Sequence, residues 1–319
     1  MNTKESTVTQ LLVAAFAANG VKHIFGIPGG GSSLDVIEEA ASNGIEFVLT
    51  TTESAAVMMA AATAELAHSP GVALTTKGPG VANAANGVAY AALDRAPVVF
   101  LTDGFTEAQQ DYVTHQVFDQ QALIEPIAKG FIRLGNDTKA NEVISLIQLA
   151  MTPPYGPVHV ELTSDVARSP IAKSDVDLTI SGKSPPADKA DASAVGEILS
   201  RASRPVVIAG LESRDDGTTA QLRKFVEGLQ CPVLATYKAK GVIPDTHAQY
   251  VGLFTGAAAE QECVSQADLI ILCGVDPVEF ALQPWRYRAP VIDIGLTRHA
   301  PHYTAIDAGA YGPMAEYLR

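Results

Sequence analysis

The stretch His23-Ile24-Phe25-Gly26-Ile27-Pro28-Gly29-Gly30-Gly31-Ser32-Ser33-Leu34 passes from an apolar run through a glycine turn into a helical segment. It predicts a strand over 23–27 and a helix over 34–41. The same alternation continues outward. Strands are expected at 45–49, 72–75, 97–102 and 157–161, with helices at 53–67, 83–93 and 141–150. Strands that are apolar on both faces and separated by helices define an α/β fold, a parallel sheet with helices on both faces.

After residue 170 this rhythm is lost. Ser181-Gly182-Lys183-Ser184-Pro185-Pro186 lies in a stretch, 171–191, that reads as an interdomain linker. A second α/β series follows, with helices expected at 192–202 and 218–229 and strands at 206–210, 233–236, 269–273 and 291–294. A last helix-like segment covers 313–318. The expected organisation is a first parallel-sheet domain over 1–170, the linker, and a Rossmann-like domain over 192–319. A length of 319 residues suits two cores.

Composition narrows the function classes. The net charge is −13 and no Lys/Arg cluster occurs, which argues against a nucleic-acid groove. No apolar run reaches the length of a membrane span. Cys231, Cys263 and Cys273 form no CxxC pair and suit buried thiols in a reducing compartment, so no metal ligands are assigned. Leu11 to Ala18 loosely imitates a signal peptide. Glu5, Thr7, Thr9 and Gln10 dilute it, and Asn19-Gly20 is a good helix C-cap. It reads as a helix of the fold in a cytoplasmic protein.

Ligands of open α/β sheets gather beyond the carboxyl ends of the strands. Three loops of unusual composition lie at such ends. In Pro28-Gly29-Gly30-Gly31-Ser32-Ser33 the glycines permit close backbone approach, and Ser32 or Ser33 can cap the next helix. A tight turn or a ligand loop would both explain it. In Thr50-Thr51-Thr52-Glu53-Ser54, Glu53 opens a helix made almost wholly of Ala, Val and Met. A carboxylate there is favoured by the helix dipole. Such a helix is expected to be buried on all sides, with a subunit interface as one way to cover it. Glu53 then enters an apolar surrounding suited to proton exchange. The third loop, Thr76-Lys77-Gly78-Pro79-Gly80-Val81-Ala82-Asn83, has Asn83 where a dinucleotide fingerprint needs its third glycine. No phosphate-loop sequence is present, so these loops do not read as an NAD or ATP site.

Together, and in this order, the three loops resemble the pyrimidine-binding domain of thiamine-diphosphate-dependent enzymes, particularly the acetolactate synthase-like group. The matching residues are Phe25-Gly26-Ile27-Pro28-Gly29-Gly30, Gly44-Ile45-Glu46 with Glu53, and Gly78-Pro79-Gly80-Val81-Ala82-Asn83, continuing through Gly87, Ala91, Asp94 and Pro97-Val98-Val99. The segment from His115-Gln116 to Lys129 is similar to one carrying an active-site glutamine. Arg204 to Gly210, Lys240 to Asp245 and Ala267 to Gly274 resemble the family's central domain.

The resemblance implies that Glu53 hydrogen-bonds the aminopyrimidine of thiamine diphosphate and favours the tautomer that removes the thiazolium C2 proton. The substrate would be a 2-oxo acid, with Gln116 and His115 near it. Pro28, Gly29, Gly30, Gly78, Pro79, Gly80 and Asn83 would line the cofactor pocket. It also implies a homo-oligomer, dimer or tetramer.

Two departures stand out. Thr52 occupies a position where many relatives carry His, and Ala60-Ala61-Ala62-Thr63-Ala64-Glu65 replaces the usual helix sequence. The Gly-Asp-Gly motif that binds diphosphate through Mg2+ in the family does not occur in these residues. The diphosphate and Mg2+ site is therefore expected on a further domain or a separate subunit. The chain reads as part of a 2-oxo acid lyase or transferase; a non-catalytic interaction or regulatory protein is the competing reading. Some relatives hold FAD in the central domain, but Gly210, Gly252 and Gly274 fit ordinary turns better.

Overall fold

Branched and aromatic runs form the strands, and alanine-rich runs form the helices Val8–Ala18, Glu53–Ala67 and Pro79–Leu93. The computed structural model describes residues 6–171, 177–180, 189–280 and 284–319. Two compact units divide at residues 183 and 184.

The first unit begins with β1 (Ser6–Thr7), α1 (Val8–Ala18), β2 (His23–Ile27), α2 (Ser32–Ser42), β3 (Glu46–Leu49), α3 (Glu53–Ala67), β4 (Gly71–Thr75) and α4 (Pro79–Leu93). It continues with β5 (Val98–Asp103), α5 (Glu107–Gln110), α6 (Gln120–Ile124), β6 (Phe131–Arg133), α7 (Ala140–Ala150), β7 (Val158–Leu162), α8 (Ser164–Ala167) and β8 (Pro170–Ile171). Six strands form a sheet in the order β3-β2-β4-β5-β7-β6, and every pair is parallel. The central strands β4, β5 and β7 are buried along their whole length, as a sheet covered on both faces requires. Phe16, Leu12 and Ile24 fill one side of it, while Phe100 and Ile124 fill the other. β1 and β8 pair separately as an antiparallel ribbon.

The second unit contains α9 (Lys189–Leu199), β9 (Pro205–Ala209), α10 (Asp216–Leu229), β10 (Val233–Ala235), β11 (Tyr250–Leu253), α11 (Gln261–Ser265), β12 (Leu269–Cys273), β13 (Val291–Gly295), β14 (Ala308–Tyr311) and α12 (Met314–Tyr317). Its six-stranded sheet has the order β11-β10-β9-β12-β13-β14 and is parallel throughout. The chain is thus an α/β protein of two consecutive parallel sheets.

Several expectations need correction. α4 starts at Pro79 rather than Asn83, because proline's fixed φ and missing N–H suit the first helical turn. β6, β11 and β14 escape the sequence pattern; they are three- or four-residue strands at sheet edges and only partly buried. The expected linker lies partly outside the described residues. Its described piece is bound to the end of α1, where Asn19 Nδ2 donates to the Leu178 carbonyl at 2.7 Å and Ile180 N donates to Asn19 Oδ1 at 2.6 Å. α3 is not buried on all sides within one chain. Ala56, Val57, Ala60, Ala61 and Ala64 face the core, while Met59 and Leu66 stand exposed.

His159 on β7 carries a pH signature. It lies between Phe100 and Phe131, with ring centroids 5.4 and 5.0 Å away, and its Nε2 bonds the Thr102 hydroxyl at 2.9 Å. Burial pushes its pKa down from 6.5 to about 4. The unfolded chain therefore takes up this proton first as pH falls. The contribution of His159 is intact above pH 6.5 and is lost toward pH 4, by up to about 3 kcal/mol. Urea midpoints should fall less steeply over that window in His159→Gln than in the wild type; parallel profiles would contradict the assignment.

Candidate active site

In the first sheet the chain leaves β2 for one side and β4 for the other, so their carboxyl ends flank the topological switch point where α/β sheets bind ligands. The loops after β2, β3 and β4 are the three that stand out in the sequence.

Glu53 is the first residue of α3, and Thr52 is its N-cap, accepting from Ala55 N at 3.1 Å. The residue that departs from the family pattern thus satisfies one of the helix's unpaired amides. Glu53 is half-buried, and its Oε2 accepts a short hydrogen bond from Asn83 Nδ2 on α4. Ser54 Oγ donates to the Asn83 carbonyl, a second tie between the two helix starts. The surrounding is therefore less apolar than the composition of α3 suggests.

Gly78 and Gly80 shape the turn opposite. Gly78 has φ +64°, and a Cβ there would lie 2.3 Å from the Gln116 carbonyl. Only glycine fits without displacing that segment. A Cβ on Gly80 would stand 2.5 Å from Thr75 Oγ1 and 3.5 Å from Glu53 Oε1. Thr75 Oγ1 is buried and has no hydrogen-bond partner. The buried turn thus packs against the half-buried Glu53, whose Oε1 lies on the Gly80 side.

A buried polar relay fixes the turn from behind. Gly78 N donates to Gln120 Oε1 at 2.6 Å, and Gln120 Nε2 donates to Glu161 Oε2 at 2.8 Å. Glu161 pairs with Arg133 at 2.9 Å. Gln120 Nε2 also reaches the Asp103 carbonyl at 3.2 Å. Asp103, buried at the end of β5, accepts from the Ser32 hydroxyl at 2.6 Å, the Ser33 amide at 2.8 Å and the Ser33 hydroxyl at 3.1 Å. The serines therefore do not cap α2 as expected; its N-cap is Gly31, without a side-chain bond, and the hydroxyls serve Asp103 instead.

The structure brings Glu53, Asn83, Gly80 and Gly78 together, with the Gln116 backbone against Gly78. Gln116 is held at φ +61° and is half-buried, while His115 is exposed and no described contact joins it to Glu53. Pro79 occupies the first turn of α4. Pro28 is half-buried after β2, and Gly29 packs against Asp103 and Thr76. Gly30 is exposed and faces open space. Asp103, Gln120, Glu161 and Arg133 escape sequence reasoning because they are single polar residues on otherwise ordinary segments.

Residues 6–123 match the thiamine pyrophosphate enzyme N-terminal TPP binding domain, and residues 192–319 match the central domain of the same enzymes. The chain belongs to the thiamine pyrophosphate enzyme family and carries these two of its domains. Its relatives are acetolactate synthase-like. The chain is 31% identical over 283 residues to an acetolactate synthase of Bacillus subtilis, covering 86% of this chain and 49% of that protein. It is 28% identical over 276 residues to oxalyl-CoA decarboxylase of Escherichia coli, covering 83% and 47%. The chain spans about half the length of the curated relatives it matches. Its fold is shared with the thiamine diphosphate-dependent 4-hydroxybenzoylformate decarboxylase of Rhodococcus jostii RHA1, with a TM-score of 0.84 at 20% identity over 98% of this chain and 61% of that one.

Proposed function

We propose that this chain supplies the aminopyrimidine-binding half of the active site of a thiamine-diphosphate-dependent 2-oxo acid lyase or transferase of the acetolactate synthase or decarboxylase kind. The observation that carries this reading is the Glu53 carboxylate, held at the start of α3 by Asn83 beside the Gly80 turn. When bound, thiamine diphosphate supplies the ring that accepts the electrons released in decarboxylation.

The pyrimidine end fits the residues present. Asn83 takes up Glu53 Oε2, which leaves Oε1 to hold a proton at a ring nitrogen. Gly80 is buried, and its lack of a side chain lets the start of α4 pack closely on Thr75 and Thr76. Glu53 is the catalytic residue; Asn83, Gly78, Gly80, Pro79 and the Pro28-Gly29-Gly30 turn bind or shape, and Gln116 and His115 face the substrate. Diphosphate and Mg2+ are assigned to a further domain or a partner subunit.

The reading extends to a dimer or tetramer, supported by exposed apolar side chains of α3 and α4, Met59, Leu66, Tyr90 and Leu93. No helix among the described residues is long and apolar enough to cross a membrane.

The test is made on the chain completed with a diphosphate-binding domain, Mg2+ and thiamine diphosphate. Carbon dioxide release from a 2-oxo acid is expected. Asn83→Ala should lower it by about tenfold, the worth of one hydrogen bond to a carboxylate. Absence of release from every short-chain and aromatic 2-oxo acid would refute the proposal.

A further inference from the structure

The second sheet has its own switch point, between β9 and β12, and its strand ends carry charged groups that the proposed function does not use. Glu212 follows β9 through Gly210-Leu211, and Asp276 follows β12 through Gly274-Val275. His299 comes from the loop after β13. Its Nε2 lies 3.0 Å from Glu212 Oε1 and 3.8 Å from Asp276 Oδ2. One ligand atom from each of the three falls within 4.8 Å of the others. Ligands at about 2.0–2.2 Å on a tetrahedral ion stand about 3.3–3.6 Å apart, so small side-chain movements bring all three onto one ion.

The carboxylates are oriented for this. Glu212 Oε2 is occupied by the Leu296 amide at 2.7 Å, which turns Oε1 to His299. Asp276 Oδ1 is occupied by the Val278 amide at 2.9 Å, which turns Oδ2 the same way. Backbone donors of this type fix metal-ligand geometry.

An independent observation comes from the next shell of side chains. The His302 side chain is 7% exposed, and its Nε2 has no hydrogen-bond partner; the nearest acid is Asp293, at 3.9 Å. Asp293 is itself 1% exposed, and neither oxygen makes a hydrogen bond of normal geometry although the Tyr311 hydroxyl is close. Asp293 shares a face of β13 with Gly295, where a Cβ would stand 3.1 Å from Glu212 Oε2. Both groups therefore point toward the same crevice. Burying three carboxylates against two imidazoles is costly unless bound protons or a cation join them.

We propose that Glu212, Asp276 and His299 bind a divalent transition ion of the Zn2+ kind at the carboxyl-end crevice of the second sheet. An imidazole and two carboxylates suit Zn2+ or Co2+ better than Mg2+, which prefers oxygen ligands alone. The ion ties together the ends of β9, β12 and β13. The sequence assigns no metal ligand because the three groups come from distant loops, Glu212 and His299 being 87 positions apart.

The test uses the untagged full chain, stripped with a chelator, and is independent of the cofactor site. Dialysis against Zn2+ followed by elemental analysis should give one ion per chain. Co2+ should produce the visible absorption of a low-symmetry site with nitrogen and oxygen ligands, a readout that needs no variant. Glu212→Gln and His299→Gln should each weaken uptake by at least about tenfold. Asp245→Asn, an exposed carboxylate paired with Lys240, should leave uptake unchanged. Failure of the wild type to retain Zn2+ above the buffer blank, or to develop the Co2+ band, would overturn the site. Undiminished uptake in both ligand variants would overturn it equally.

Discussion

Glu53→Gln, in the enzyme completed with a diphosphate-binding domain, is expected to lower turnover by about 10²–10³-fold with little change in stability. Glutamine keeps the shape of the side chain, and its carbonyl can still accept from Asn83. The helix start survives as well, because Thr52 rather than Glu53 caps α3. What disappears is the charge, and with it the ability of Oε1 to hold a proton at a ring nitrogen. Losing a carboxylate at a helix N-terminus costs only about 0.3–1 kcal/mol, so the melting temperature should move by a few degrees at most. The two readouts separate the proposal from a structural role. Turnover within about twofold of the wild type would remove Glu53 from the chemistry; a collapse of stability with it would make the residue a structural carboxylate. A deuterium label at the thiazolium C2 adds a finer measure. Its loss should slow in parallel with turnover if Glu53 has the proposed role in proton removal.

The parts of this site that can be read in the sequence are those where local composition and fold position agree. Gly78, Gly80 and Glu53 lie in loops whose residues are unusual for their neighbourhood, at strand ends where an α/β sheet collects ligands. The alternation of apolar runs also exposes most of both sheets, because strands buried on two faces need no partner to be recognised. The relay behind Gly78 follows no such pattern. Gln120 meets Glu161 across 41 positions and Ser32 meets Asp103 across 71, so only the assembled sheet brings them together. The serines show how local chemistry misleads. Ser at the start of a helix is a good cap, but a buried Asp103 offers these hydroxyls a charged acceptor, and hydrogen bonds to charge are the stronger kind. The composition of α3, almost wholly apolar, predicts cover on every side. A single chain leaves Leu66 84% exposed, so the rest of that cover would have to come from a subunit interface. The uncovered face of α3 is consistent with the proposed oligomer, in which a second chain would cover it.

The chain alone is expected to bind thiamine diphosphate at least about 10²-fold more weakly than the chain supplemented with a diphosphate-binding domain and Mg2+. The reason lies in where the ligand's charge sits. The aminopyrimidine is neutral and would meet the carboxylate oxygen of Glu53 that Asn83 leaves open. The diphosphate carries the negative charge and needs a metal ion or charge-assisted donors to leave water. Around the first switch point the acids Glu53, Asp103 and Glu161 outnumber the cations Lys77 and Arg133, and Arg133 is already paired with Glu161. The sequence as a whole carries a net charge of −13. Among the described residues the one cluster able to hold a metal is Glu212, Asp276 and His299, in the other unit. A factor of 10² corresponds to about 2.7 kcal/mol, no more than one or two charge-assisted hydrogen bonds, so the expected gap is a lower bound. Calorimetric titration of thiamine diphosphate with Mg2+ into the chain, before and after addition of a diphosphate-binding domain from an acetolactate synthase, measures it directly. Tight, Mg2+-dependent binding by the chain alone would show that the diphosphate is captured within these 319 residues and would end the division of the site proposed here. Thiamine itself provides the internal control. Lacking the diphosphate, it should gain little from the added domain, because the contacts it can make are those around Glu53.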